Sequence, residues 1–87
     1  MDQVIIDVRE PDEFVQGHAD GAVNIPPDKL MVGAHELQSV AKDTKLVVYC
    51  KTGSRSNVAM HILRQQGFTN VVNGINRDHV TARYKTK

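Results

Sequence analysis

Leu46-Val47-Val48-Tyr49-Cys50-Lys51-Thr52-Gly53-Ser54-Arg55-Ser56 is the stretch on which the rest of the chain is organised. Leu46 to Tyr49 reads as a short buried strand, and the only cysteine stands at its end. A small cationic loop follows, and Ser56 is read as the cap of a helix. A thiol between a buried strand and a helix start stands where backbone N–H groups converge. Their partial positive charge, with the cations Lys51 and Arg55, favours thiolate over thiol, and the thiolate is the reactive form. Taken alone, a cysteine after an apolar strand reads as an inert core thiol; the Lys-Thr-Gly-Ser-Arg-Ser run behind it decides otherwise. Gly53 permits the positive φ that lets successive N–H groups face one centre. Arg55 is expected to act both electrostatically and as a tie to an acid. Lys51 and Ser54 read as exposed side chains whose backbone matters most, and the role of Thr52 is left open.

Upstream of that stretch, Gln3 to Val8 is β-branched and nearly all apolar, as in a strand covered on both faces. Glu10-Pro11-Asp12-Glu13 marks a helix start, with proline at the first helical position and acids in the first turn, and Gly17 ends it. Ala22 to Ile25 reads as a second strand closed by Pro26-Pro27. From Asp28, the apolar residues Leu30, Ala34, Leu37 and Ala41 fall at helical spacing, with Met31 and Val40 widening the stripe and Gly33 weakening it. Downstream, Val58, Ala59, Ile62 and Leu63 form the stripe of the clearest helix, which Gly67 closes and on which Phe68 packs. Asn70 to Val72 makes the last strand, and Asn73-Gly74 turns away. Alternating strands and helices predict an α/β fold, a small parallel sheet with helices on both faces. Ligands of such sheets bind beyond the strands' carboxyl ends, where Cys50 lies.

The 87 residues, 40% of them hydrophobic, suffice for one domain spanning 1–87 with a core of its own, residues from about 78 onward reading as a solvated or frayed tail. A single cysteine excludes an internal disulfide, and the four histidines show no ligand spacing, so neither metal nor organic cofactor is expected. No apolar run approaches the roughly 18 residues of a membrane span. As the sequence stands the expected compartment is cytoplasmic, or periplasmic if a signal peptide has been removed. The formal charge of +1 hides a split: nine acids against three bases through Asp43, then eight bases against one acid. A positive field around Cys50 would steer a small anion to it. The basic tail residues Arg77, Arg83, Lys85 and Lys87 read as solvated terminus, not as a nucleic-acid contact. Asp7, Arg9 and Glu13 read as an internal ion pair, Arg9 with one of the two acids, and His18 as making a turn hydrogen bond.

Several segments, in this order and spacing, resemble a single-domain rhodanese, most similar to the short phage-shock-protein type. They are Ile6-Asp7-Val8-Arg9 with Glu13-Phe14, Gly17-His18, Gly21-Ala22, Asn24-Ile25-Pro26, Tyr49 through Ser56, Ala59, Leu63 and Gly67-Phe68. The chain departs from that pattern in having Asn73-Gly74-Ile75 where many members have Gly-Gly, in having no tryptophan, and in beginning almost on the Asp-Val-Arg strand.

The resemblance implies a thiosulfate sulfurtransferase in which Cys50 carries sulfur as a persulfide and Lys51, Thr52, Gly53, Ser54, Arg55 and Ser56 form its cradle. Thiosulfate would be the donor, and cyanide or a thiol, including that of a thioredoxin-like protein, the acceptor. The chain is expected to act as a monomer, without nucleic-acid or membrane partners. Two rivals are a sulfur-carrier or interaction module and a rhodanese-derived phosphatase or arsenate reductase. The latter need C-x5-R, a ring wide enough for a tetrahedral oxyanion, whereas Cys50 to Arg55 is C-x4-R, sized for one sulfur atom.

Overall fold

The computed structural model describes residues 3–84. The elements are β1 (Gln3–Asp7), α1 (Pro11–Gln16), β2 (Val23–Asn24), α2 (Pro27–Met31), a 3₁₀ turn (His35–Leu37), β3 (Lys45–Cys50), α3 (Ser54–Gln65), β4 (Val71–Asn76) and α4 (Arg77–Arg83). The strands form one parallel sheet in the order β2-β1-β3-β4, the α/β architecture expected from the alternation.

Period-two alternation divides the central strands between two cores. Ile6, Val8, Leu46, Val48 and Cys50 face Leu30 of α2 and Ala59 and Leu63 of α3. Ile5, Val47 and Tyr49 face the other way, onto Ala19 and Val80 of α4. Because both faces are covered, β3 reads as an unbroken apolar run. No helix among the described residues is long and apolar enough to cross a membrane.

Four local expectations are corrected. The helix expected from Asp28 to Ala41 is split, because Gly33 takes a φ of +84° and stops α2 after Met31. Leu30, Ala34 and Leu37 stay buried, while Ala41 is exposed and drops out of the stripe, and Met31 is exposed and does not widen it. Secondly, α3 begins two residues before the expected cap, with Gly53 at the N-cap position, so Ser56 lies buried inside the helix, while Val58 of its expected stripe is exposed and Ala59 and Leu63 carry the burial.

The third correction concerns β4, which runs on through Asn73-Gly74 instead of turning there. Val48 pairs with Asn73 and Tyr49 with Ile75, so Gly74 is an extra residue, a β-bulge. Only glycine fits: a Cβ on Gly74 would stand 2.5 Å from Val80 Cγ2 and 2.9 Å from Val47 Cγ1. Fourthly, residues 78–83 of the expected frayed tail belong to α4. The Asn76 side chain caps it, accepting the His79 N–H at 2.8 Å, and fully buried Val80 anchors it. Lys85, Thr86 and Lys87 of that tail lie outside the described residues.

Gly74→Ala is therefore expected to destabilise the domain by about 1–3 kcal/mol through overpacking against Val47 and Val80, read as a lower urea midpoint at unchanged slope.

Candidate active site

Cys50 closes β3, and the chain turns at once through Lys51, Thr52 and Gly53 into α3. Gly53 holds a φ of +98°. A Cβ there would meet Ile75 Cγ2 only at an ordinary 3.5 Å, so the backbone conformation, not lack of space, calls for glycine. That turn swings the Gly53 N–H back onto Cys50 Sγ at 3.1 Å, while the first turn of α3 sets the Ser56 N–H at 3.4 Å and the Ser56 hydroxyl at 3.5 Å. Burial pushes the Cys50 thiol up, but the Ser56 hydroxyl and the N–H groups of Ser56, Gly53 and Thr52 outweigh it and bring the group from 9.0 down to about 7. Hydrogen bonds thus lead, where the sequence pointed equally to the cations Lys51 and Arg55.

Arg55 is engaged by Glu13 and does not line the cleft onto which Cys50 opens. Its Nη1 and Nη2 donate to Glu13 Oε1 and Oε2 at 2.8 and 3.2 Å, a two-pronged bond between α3 and α1. Arg55 holds the Glu13 carboxyl down at about 2, helped by the Glu10 N–H that bonds it in the capping box. The expected pair of Arg9 is with Asp7: Nε and Nη2 bond that carboxylate at 2.7 to 3.1 Å, and Nη2 also reaches the Gly17 carbonyl. Asp7 is fully buried and further accepts the Tyr49 hydroxyl at 2.8 Å. Burial first, and the Asp7 carboxylate after it, push Tyr49 up to about 12, so it serves as a donor. His18 meets the Phe14 carbonyl at 2.9 Å and stacks on the Phe14 ring.

Cys50 opens onto a cleft of about 460 Å³ lined by Arg9, Glu13, Gln16, Gly17, Lys51, Asn76, Arg77 and Asp78. Strand order interleaves the acidic and basic halves here, so the cleft carries both signs rather than a uniform positive field. With Arg9 and Arg55 engaged by acids, the exposed cations on the cleft are Lys51 and Arg77, the latter 3.9 Å from Asp78. Thr52 and Ser54 are exposed and their hydroxyls lie 3.2 Å apart. Residues Cys50 to Ser56 are thus brought together as one ring, but the side chains of Thr52 and Ser54 do not line the cleft. Asn76, Arg77 and Asp78 were missed by sequence reasoning. The signal was their place at and just beyond the carboxyl end of a strand, hidden once β4 is taken to stop at Val72.

A parallel α/β sheet thus aims one N–H-ringed thiol into a cleft at its strand ends. The chain belongs to the rhodanese-like domain family, whose model matches residues 1–75. It is 38% identical over 68 residues to the thiosulfate sulfurtransferase PspE of Escherichia coli, covering 78% of this chain and 64% of that protein. It is 41% identical over 69 residues to the uncharacterised YqhL of Bacillus subtilis, covering 79% and 52%. The chain spans about half to two-thirds of the length of these relatives. A solved rhodanese with anions from E. coli superposes with a TM-score of 0.78 at 33% identity, covering 88% of this chain and 89% of that one.

Two outcomes are expected. Alkylation of Cys50 by iodoacetamide should rise with pH around a midpoint near 7; a midpoint near an ordinary thiol's would remove the N–H cradle from the account. Because the Glu13 carboxyl is depressed, its pair with Arg55 stabilises fully above pH 4.5 and is lost as pH falls toward about 2. The gap in thermal midpoint between wild type and Glu13→Gln should narrow across that window.

Proposed function

We propose that the protein is a thiosulfate sulfurtransferase working through a Cys50 persulfide. The observation that carries this reading is the sulfur itself: buried, held by two N–H groups and a hydroxyl, yet open on one side to a cleft with exposed cations. The Cys50 thiolate attacks the outer sulfur of thiosulfate, the S–S bond of the donor breaks, and sulfite departs with the electron pair. The ring of N–H groups then holds the negative outer sulfur of the persulfide, and a nucleophile such as cyanide or a thiol attacks it, returning Cys50 as thiolate. The nucleophile is ionised near neutral pH, so the chemistry asks for no separate general base. Lys51 and Arg77 neutralise the sulfonate end of the donor and the leaving sulfite. Arg55, engaged by Glu13, shapes the loop. Thiols, including those of thioredoxin-like proteins, are the acceptors proposed for the cell.

Incubation with thiosulfate should add the mass of one sulfur atom to wild type and none to Cys50→Ser, and cyanide should remove it as thiocyanate. Identical behaviour of the two proteins would sink the mechanism. Lys51→Ala and Arg77→Ala should each raise KM for thiosulfate severalfold with kcat nearly unchanged, whereas Arg55→Ala should lower kcat. The chain is also 35% identical over 69 residues to a putative sulfur carrier, YrkF of B. subtilis. Slow turnover with free thiosulfate beside fast loading from a persulfidated partner protein would assign the carrier role instead.

A further inference from the structure

Asn73 lies in β4, on none of the walls of the cleft, yet its amide is held by three hydrogen bonds around the sulfur loop. Nδ2 donates to the Gly53 carbonyl at 3.1 Å, and Oδ1 accepts both the Ile75 N–H at 2.9 Å and the Ser56 hydroxyl at 2.6 Å. The amide has one tenable orientation. Turned over, it would set NH2 against the Ile75 N–H and its oxygen against the Gly53 carbonyl. The Ile75 N–H reaches Oδ1 with Ile75 at a φ of +73°, a left-handed conformation unfavourable for a β-branched residue and a mark of a site where geometry is imposed.

The Ser56 hydroxyl has one proton and three acceptors in reach: Asn73 Oδ1 at 2.6 Å, the Gly53 carbonyl at 3.1 Å and Cys50 Sγ at 3.5 Å. These distances place the proton on Asn73 while the sulfur is neutral. The serine oxygen then turns a lone pair to Cys50, which suits an S–H that donates and opposes a sulfur that is charged. A negative sulfur is the stronger claimant and draws the hydroxyl round to itself.

We infer that Asn73 is a positioning residue of the sulfur site: it competes with the Cys50 sulfur for the single Ser56 proton, keeping it from the thiol and yielding it to thiolate or persulfide. The inference rests on Cys50 as the sulfur-carrying nucleophile. The charged groups around Cys50 are Lys51 in the loop, Arg55 of α3 with its partner Glu13 of α1, Arg9 after β1, and Arg77 and Asp78 of α4. Asn73 bonds none of them, so replacing it leaves that field in place.

The test is the thiol–thiolate titration of Cys50, followed by ultraviolet thiolate absorbance and by alkylation rate, in wild type, Asn73→Leu, Ser56→Ala and the double variant. Ser56→Ala should raise the midpoint. Asn73→Leu should lower it by about half a unit to one unit, roughly three- to tenfold in the thiol–thiolate ratio, and that shift should vanish when Ser56 is alanine. If Asn73→Leu does not fold by circular dichroism, Asn73→Ala removes the same acceptor without added bulk and is held to the same outcome. No shift, an upward shift, or a shift that persists in the Ser56→Ala background would overturn the inference and leave Asn73 as loop scaffold. These readouts need no turnover, so a wild type that titrates as described but takes no sulfur from thiosulfate defeats the proposed activity and not this one.

Discussion

Two backbone N–H groups and one hydroxyl closing on the Cys50 sulfur are what the rest of the structure depends on. The residue is only 1% exposed, and burial by itself would keep the sulfur neutral and inert. The donors reverse that outcome, and they converge because Gly53 turns the chain at positive φ immediately before α3 begins. The sheet is the rigid mount. β3 is paired on both sides and covered on both faces, so the sulfur at its end is presented from a part of the fold with little freedom to move.

Ties from distant parts of the chain keep the ring in shape. Glu13 of α1 grips Arg55, Asn73 of β4 grips Gly53 and Ser56, and the fully buried Asp7 is matched by Arg9 and Tyr49 below the rim. Ion pairs give little net stability, since desolvation of buried ones and solvent screening of exposed ones offset much of their attraction. Here their effect is geometric. They hold the loop and rim, and by engaging Arg9 and Arg55 they leave Lys51 and Arg77 as the exposed cations of the cleft.

Much of this was legible in the residues because it is local. The apolar β-branched run of β1, the proline and acids opening α1, the strand–thiol–glycine–helix succession and the burial of Ala59 and Leu63 in α3 act over a few residues, and neighbouring residues decide them. The misread elements were those in which packing outweighs propensity. Asn73-Gly74 has the composition of a turn, yet Val47 and Val80 leave a slot that only a glycine-bearing strand can occupy, so β4 passes through. The polar surface of α4 resembles a solvated tail, yet Val80 and the Asn76 cap suffice to dock it. The stripe from Leu30 to Leu37 was read correctly as buried and wrongly as one helix, because a 3₁₀ turn after Gly33 points Leu37 inward as well as a continued helix would.

By itself the sequence determined that one thiol would stand at a strand end, followed by a ring of C-x4-R size and a helix start, since covalent spacing and backbone preference suffice for that. Which acid neutralises which cation was decided only by tertiary structure. Glu13 and Arg55 are 42 residues apart, and strand order, not sequence distance, brings them together. The same order places Arg77 at the cleft and Asn73 beside Ser56. The charge around the sulfur and the direction of its hydrogen bonds are therefore properties of the folded sheet, because both vary with distances of a few ångströms that no one-dimensional pattern encodes.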